Sequence, residues 1–469
     1  MPIYAGNTTV NTSITSSNVT VTTPQSFLEY NATRNSIQPG FRLDFVNSNI
    51  LDPRITFTRA SSGTYTNNIG VVSTASNNTP RFDYNPTTLG CNGLLIEGPS
   101  TNLLTYSAAI GGTNWYYNNS PGPTITLNAA TAPDNTTTAS LYVPGTTSGF
   151  YDANQAPSPK LTDNTSYSFS VWVKLSGAFF SIIHLQIGNN TAGGVNSGYV
   201  NTWIQLTGSG SVLSTSNSGT ATSASASVTA YPNGWYRCTV TGIPSVGATV
   251  TSSFVTIRPS LANGDNNMAS GGDGTSGYYF WGAQLEQNTA YKIAPSTYIP
   301  TTSASASRAS ELAIMTGSFL SSIYNPSVST VVYEAMQYYS NQGASPPPFE
   351  FNDGTLNNRF NSYAQYGVVH YGIYNTTGGN LNFTMGAFTA GVPWKFAGVY
   401  QLGACAACMN GGTVSTGTST VFPGSAVNRL NIGTLGGGGG GSWFSGVIRR
   451  IAYWPVALSN AELISQTSY

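Results

Sequence analysis

Charged residues are scarce in this chain. Only 7% of its 469 residues are Asp, Glu, Lys or Arg, and the sixteen acidic and sixteen basic residues cancel. Ordinary soluble domains carry about 25% charged residues. Because a neutral surface so poor in charge cannot attract nucleic acid or an anionic membrane, the sequence excludes nucleic-acid binding. Asn, Ser, Thr, Gly and Tyr side chains must keep the protein in solution.

Long apolar runs are also missing. None approaches the roughly 18 residues that a transmembrane helix needs, so no membrane insertion is predicted. The first residues, Met1–Gly6, have neither the basic start nor the apolar core of a signal peptide. We therefore expect the protein to be made and assembled in a cytoplasm.

Cysteine and histidine are too few for most metal or redox sites. Four cysteines in a chain of this length do not make a disulfide scaffold. Cys405 and Cys408 form a Cys-Ala-Ala-Cys motif, but the two histidines, His184 and His370, have no ligand spacing with it. The flanking residues resemble the arms of a β-hairpin, which favours two thiols in a strand or turn over a reactive site.

Lysine, the usual protection of exposed strand edges, occurs only four times. Edges must then be hidden by loops, prolines or other subunits, which favours a homo-oligomer. Oligomerisation is not the one possible reason for this composition. The codon or nutrient economy of the organism that makes the protein could also favour Asn and Thr.

Short runs that alternate apolar and polar residues dominate the chain and are broken every ten residues or so by Gly, Pro, Asn or Asp. In SYSFSVWVKL every second residue is large and apolar, as at Phe169, Val171 and Val173. This period of two predicts strands with one face on a core. The sequence therefore predicts an all-β protein of tandem antiparallel β-sandwiches (jelly rolls), with one sandwich over residues 108–300.

The remaining boundaries follow from composition. Residues 1–40 are rich in β-branched residues but poor in large side chains, so we expect an extended arm. Residues 301–315 begin with small residues and predict a linker. A second jelly roll is predicted over 316–469, where Ser459 and Glu462 form a capping box that begins a short helix at Asn460.

Residues 41–107 carry unusually many charges for this chain, four of each sign. They are Arg42, Asp44, Asp52, Arg54, Arg59, Arg81, Asp83 and Glu97. Unpaired charges are costly once they are packed, so we expect a paired, hydrogen-bonded structural lattice and not a reactive site. The segment is predicted to connect the arm to the sandwich and to pack on that sandwich.

Two phrases bracket residues 41–311: LDPRITFTRASSGTYT…TPRFDYNP…GLLIEGPSTNLLTYS at 51–107, and GYYFWGAQLEQ…APSTYIPTTSASASRASE at 277–311. They resemble a module of tail-fibre, head-fibre and other virion-surface proteins of tailed bacteriophages, where it brackets a carbohydrate-binding-module-like sandwich. The C-terminal part, with Gly446, Ile448 and Tyr453, resembles a laminin-G or concanavalin-A-like jelly roll. The resemblance implies a protein at the virion surface, whose residues 1–40 contact other virion proteins. A trimer is expected from the habit of phage fibres.

Candidate ligand sites lie in aromatic loops. Sugar rings present apolar C–H faces and a rim of hydroxyls, so their sites combine flat aromatic faces with Asn, Asp and backbone groups. The predicted carbohydrate-binding residues are Tyr116, Tyr117, Asn118 and Tyr151. Trp115 is as compatible with the core as with a ligand, and Trp235 is predicted to lie in the core.

The loop at residues 263–274 is rich in oxygen-bearing side chains. Asp265 and Asp273 could bind calcium there, but the loop lacks the order of an EF-hand, and a solvated turn is the alternative. No other cofactor is predicted.

No catalytic motif is present, and two histidines leave little general-base capacity, so we predict no enzymatic activity. Two functions remain. In the first, a fibre or spike binds host-surface polysaccharide through its sandwiches, with multivalent gain. In the second, the sandwiches decorate a capsid or tail without a specific ligand.

Overall fold

The computed structural model describes residues 3–5, 8–10, 38–118, 122–191, 194, 197–268, 270–339, 346–376, 380–436 and 442–469. Near the N-terminus, β1 (Ile3–Ala5) and β2 (Thr8–Val10) pair in antiparallel fashion. The rest of the predicted arm, up to residue 37, lies outside the described residues.

Short strands fill the segment after the arm. They are β3 (Phe41–Asp44), β4 (Ile55–Thr58), β5 (Gly63–Thr66), β6 (Val72–Ala75), β7 (Phe82–Tyr84), β8 (Cys91–Ile96) and β9 (Ser100–Asn102). The pair β5–β6 is a separate antiparallel hairpin.

The next strands build the first sandwich. They are β10 (Tyr116–Asn118), β11 (Thr124–Ala130), β12 (Ala139–Val143), β13 (Asp152–Gln155), β14 (Tyr167–Ser176), β15 (Ile182–Thr191), β16 (Gly198–Gln205), β17 (Ser211–Gly219), β18 (Thr222–Tyr231), β19 (Trp235–Ile243), β20 (Val250–Ser260) and β21 (Gly277–Gln287). The antiparallel sheets have the orders β10-β13-β20-β15-β16-β17 and β11-β12-β21-β14-β19-β18.

The C-terminal elements begin where the chain leaves the first sandwich. They are β22 (Ala306–Arg308), β23 (Leu312–Thr316), α1 (Ser318–Ile323), β24 (Val328–Gln337), β25 (Phe349–Asn352), β26 (Arg359–Gln365), β27 (Val368–Tyr374), β28 (Leu381–Ala387), β29 (Trp394–Gln401), β30 (Cys405–Met409), β31 (Ser415–Gly417), β32 (Arg429–Ile432), β33 (Gly446–Trp454) and α2 (Asn460–Thr467). Neither helix, nor any other in the described part of the chain, is long and apolar enough to cross a membrane.

The second sandwich is assembled from both ends of the chain. Its antiparallel sheets have the orders β28-β27-β26-β25-β32-β23-β4 and β31-β30-β29-β24-β33-β8-β7, and β3 also pairs with β33. The first sandwich is therefore an insertion between β8 and β23. The all-β prediction with antiparallel sandwiches is confirmed.

Two predicted boundaries are wrong. Residues 41–107 are not only a connecting segment, because β3, β4, β7 and β8 belong to the sheets of the second sandwich. Residues 301–315 are not only a linker, because they contain β22 and most of β23. The error has a physical cause: Thr58 pairs with Leu312, and a pairing so distant in sequence leaves no local pattern.

Each sandwich has its own apolar core. Phe169, Val171 and Val173 lie completely buried in the first, as their alternation predicts. Rings fill much of the second, where Phe351 and Phe360 stack with centroids 4.9 Å apart. Burial of such rings contributes about 1.5–3 kcal/mol each, so both sandwiches can hold together by apolar packing.

The hairpin β5–β6 packs on the outside of the first sandwich. Val72 joins a cluster of buried rings there that includes Trp172, Trp281 and Tyr298. Trp235 belongs to the same cluster, so its predicted place in a core is confirmed. This contact fixes the inserted sandwich against the N-terminal strands of the second one.

A buried charged cluster joins the two sandwiches. This junction lattice consists of Arg59, Arg81, Glu97, Arg308 and Glu311, all at most 5% exposed. Glu311 pairs with Arg59 and Arg81 at 2.7 Å, and Arg81 also pairs with Glu97 at 2.8 Å. The predicted structural role of the charges at Arg59, Arg81 and Glu97 is confirmed, and their partner Glu311 lies outside residues 41–107, far along the chain.

Two local predictions near the C-terminus are also confirmed. The Ser459 side chain accepts from the Glu462 amide, and the Glu462 carboxylate accepts from the Ser459 amide, which makes the capping box that begins α2.

Cys405 and Cys408 lie on β30, which pairs with β29 as a hairpin. Their thiols belong to clusters on opposite faces of the sheet, so they cannot bind one ion together.

Candidate functional site

The outer face of one sheet of the first sandwich is polar, although its strands are largely buried. In β20, Val255 and Ile257 point into the core, while Thr256 and Arg258 point outward. In β15, His184 and Gln186 lie between inward-pointing apolar residues. Because successive side chains of a strand point to opposite faces, both strands place apolar residues in the core and polar residues on the outer face of the sheet.

The outward side chains surround a groove of about 440 Å³. Five strands contribute to it, namely β10, β13, β20, β15 and β16, together with the loop before β13. The lining residues are Tyr116, Phe150, Asp152, Asn154, Gln186, Asn190, Tyr199, Phe254, Thr256 and Arg258. The volume is within the range that small-ligand sites occupy, about 300–1,000 Å³.

An ion pair forms the floor of the groove. Arg258 donates from Nε to Oδ1 of Asp152 and from Nη2 to Oδ2 at 2.9 Å. Both side chains are less than a tenth exposed. A bidentate pair of this kind holds both planes in a fixed orientation.

His184 supports the ion pair from below. Arginine can only donate, so the contact of 3.2 Å between Arg258 Nη1 and His184 Nδ1 makes Nδ1 the acceptor. The ring proton is then on Nε2, which donates to Asn201 Oδ1 at 3.1 Å. Burial, together with the positive charge of Arg258, lowers the pKa of His184 to about 3, so the ring stays neutral. Its plane stacks on Trp203 with centroids 4.5 Å apart.

Side-chain amides supply neutral hydrogen-bonding groups. Asn154 Oδ1 accepts from Thr256 at 2.6 Å, whereas its Nδ2 is buried without a hydrogen-bond partner among the described residues. Asn190 Oδ1 accepts from the Tyr199 hydroxyl at 3.1 Å. A buried donor without a partner is costly, so Asn154 Nδ2 is available for a ligand oxygen or a water molecule.

Aromatic rings flank these polar groups. Tyr116 is 46% exposed and Phe150 is 47% exposed, and the Phe150 ring lies 5.4 Å from the guanidinium carbon of Arg258. Tyr199 and Phe254 pack against each other with centroids 5.9 Å apart. The groove thus offers apolar ring faces beside donors and acceptors.

The predicted carbohydrate-binding residues do not all lie at the groove. Tyr116 lines the groove, while Tyr117, the next residue in β10, points the other way and packs 6.0 Å from Tyr142 of the core. Burial raises the pKa of Tyr117 to about 12. Tyr151, also predicted to bind carbohydrate, is completely buried in the core and does not reach the groove. The side chain of Asn118 lies outside the described residues.

The physical reason is strand alternation. Because Tyr151 precedes β13 with its side chain in the core, Phe150 and Asp152 on either side of it reach the groove. Trp115, which the sequence left open, lies in the core at 6% exposure. Asn154, Gln186 and the remaining groove residues of β15, β16 and β20 were missed. The sequence feature that could have identified them is the set of polar residues that alternate with the apolar ones in each of these strands.

The two candidate calcium residues have local partners. Asp265 Oδ1 accepts from the Asn267 amide, and the Asp265 main-chain oxygen accepts from Trp203 Nε1 at 2.8 Å. Asp273 caps a turn through Ser276 and Thr275, and these hydrogen bonds lower its pKa to about 2. Among the described residues, no three His, Cys, Asp or Glu side chains gather where they could hold a metal ion. Calcium binding by Asp265 and Asp273 stays a prediction.

The groove offers little for catalysis. Among the described residues that line it, Asp152 is the one carboxylate, and it is paired with Arg258. Glycoside hydrolysis generally uses two carboxyl groups on opposite sides of the bond.

Comparisons with known proteins found similar solved structures only. No family model and no curated protein matches it. Similar solved structures include the Ruminococcus gnavus IT-sialidase CBM40 bound to α2,3-sialyllactose, at 21% identity over 30% of this chain and 83% of that chain, with a TM-score of 0.28. The leech intramolecular trans-sialidase is 21% identical over 30% of this chain and 23% of its own, with a TM-score of 0.27.

Domains LG4-5 of the mouse laminin α1 chain cover more of the sequence. They match 68% of this chain and 88% of their own at 8% identity, with a TM-score of 0.24. At these scores the likenesses carry no functional argument, and the sandwich fold is established by the strand pairing itself.

Proposed function

We propose that this protein binds glycans through the groove on the first sandwich. The observation that carries the proposal is the placement of the ring faces of Tyr116 and Phe150 beside the Asp152–Arg258 pair and the Asn154 amide in one groove. Ring faces match the apolar C–H faces of a sugar, while the pair and the amide match its hydroxyls.

We further propose that the glycan is a host-surface polysaccharide and that the chain is a structural protein at the surface of a tailed-bacteriophage particle. This part rests on the bracketing phrases at 51–107 and 277–311. Residues 1–40 would contact other virion proteins, and a trimer would place several grooves on one fibre. Weak single sites gain avidity when several bind together.

The test is a glycan array and a host-cell binding assay with the full chain. Tyr116→Ala should weaken binding about 5- to 10-fold, since one ring contact is worth roughly 1–1.5 kcal/mol. Tyr366→Ala is the matched control, because Tyr366 is 67% exposed but lies between β26 and β27 of the second sandwich. Equal losses in both variants would count against the groove.

The other function that the sequence left open is decoration of a capsid or tail. It predicts no binding to any glycan or host surface, together with binding to particles that depends on residues 1–40. A particle-binding assay run beside the array separates the two functions.

A further inference from the structure

The charged groups of the groove limit what kind of sugar it can accept. Of the described residues that line it, Arg258 and Asp152 are the ones that carry charge, and they neutralise each other. His184 adds no second positive charge, because it accepts a hydrogen bond from Arg258 at Nδ1 and is therefore neutral. The groove has no net charge to offer a ligand.

Arg258 is also committed by its geometry. Nε and Nη2 donate to Asp152, and Nη1 donates to His184, so each of its nitrogens already has a partner. A ligand carboxylate could form a bidentate pair with Nε and Nη2 only by displacing Asp152 and leaving that carboxylate buried without its ion-pair partner. Breaking a buried pair in this way lowers affinity by about 100-fold or more.

The groups that remain suit hydroxyls. Asn154 Nδ2 is a neutral donor without a partner among the described residues. Asp152 itself would repel a carboxylate and accept from a hydroxyl. The net charge of the whole chain is zero, so no long-range field attracts anionic sugars either.

We infer that the groove selects uncharged sugars and discriminates against sialic and uronic acids, with the Asp152–Arg258 pair as the discriminating element. This inference rests on the proposed function, since it names the class of glycan for the same groove.

The experiment uses matched pairs of oligosaccharides on one array, each pair differing by a carboxylate: lactose beside sialyllactose, and glucose oligomers beside glucuronate-containing ones. For the full chain, we expect neutral members to bind and their acidic partners to bind at least about 100-fold more weakly. Acidic members that bind as tightly as neutral ones would overturn the inference and leave the proposed function standing. No binding to any member would overturn both.

A charge variant makes the test sharper. Asp152→Asn removes the negative partner of Arg258 and should raise the ratio of acidic to neutral binding at least about 10-fold. Asp353→Asn is the control, because Asp353 lies in the turn after β25 and bonds to Thr355 and Asn358 there. An unchanged ratio in a folded Asp152→Asn variant would contradict the assigned role of the pair.

Salt dependence gives a readout that does not need the variant to fold. Any residual binding of an acidic sugar to the unmodified protein should change less than about twofold between roughly 20 and 500 mM NaCl, because the groove has no net charge to attract its carboxylate. A steep loss of affinity with salt would show that the groove binds through unpaired charge, against the inference.

Discussion

Removing one carboxylate from the junction lattice should destabilise the protein strongly. Glu311 accepts four hydrogen bonds, from Arg59, twice from Arg81 and from the Glu97 amide, at 2.7–2.9 Å. Glu311→Gln keeps the shape of the side chain but leaves three buried arginines facing the single carboxylate of Glu97. Breaking a buried ion pair on one side costs about 3–5 kcal/mol.

The measurement is urea unfolding at pH 7, followed by tryptophan fluorescence. With a denaturant slope of roughly 3 kcal/mol per M, the midpoint of the first transition should fall by about 1–1.7 M. The matched control is Asp52→Asn, which breaks the pair between Asp52 and Arg54, whose side chains are 20% and 32% exposed. A pair this open to water is worth less than about 1 kcal/mol.

Equal, small shifts in the two variants would refute the reasoning, because buried and exposed pairs would then contribute alike.

The junction lattice should also lose stability at low pH. Against the opposing effect of burial, the charges of Arg308 and Arg81 lower the pKa of Glu97 to about 2. The contribution of the Glu97 carboxylate to the free energy of unfolding is fully present above the ordinary pKa of 4.5 and is lost as the pH falls through 2.

Two further predictions concern the second sandwich. Burial raises the pKa of Glu350 to about 7 from 4.5, so its contribution to stability is complete below pH 4.5 and is lost as the pH rises through 7, by roughly 3 kcal/mol in total. Glu350→Gln should therefore flatten the pH dependence of thermal unfolding between pH 4.5 and 8, and an unchanged slope would disprove the assignment. Ser459→Ala should cost about 1 kcal/mol by removing the N-cap of α2, measured by chemical unfolding, whereas Ser465→Ala in the same helix should cost nothing. A loss equal in both serine variants would contradict the capping role.

Parts of the site could be predicted from local patterns. Tyr116 and the segment that contains Tyr151 could be identified because aromatic residues stand beside Asn or Asp there. The assignment of Tyr151 failed by one position, since a strand that shifts by one residue exchanges its inner and outer faces. The groove also needs β15 and β20, whose polar residues are unremarkable until the sheet places them beside β13.

What the sequence determined by itself is local in origin. The period of two at Phe169, Val171 and Val173 fixes a strand with one buried face, and the spacing of Ser459 and Glu462 fixes a helix start. The scarcity of charge made pairing of Arg59, Arg81 and Glu97 the expected outcome, because an unpaired buried charge is costly wherever the chain places it.

Only the tertiary structure decided which strands become neighbours. Ile55 pairs with Met315, and Phe41 pairs with Tyr453, so the second sandwich closes around an insertion that no local pattern reveals. The groove depends on the same step, since the pairing of β13, β20 and β15 brings Asp152, Arg258 and His184 together. Side-chain periodicity fixes the face on which a residue lies, whereas its neighbours across the sheet follow from the global packing of both cores.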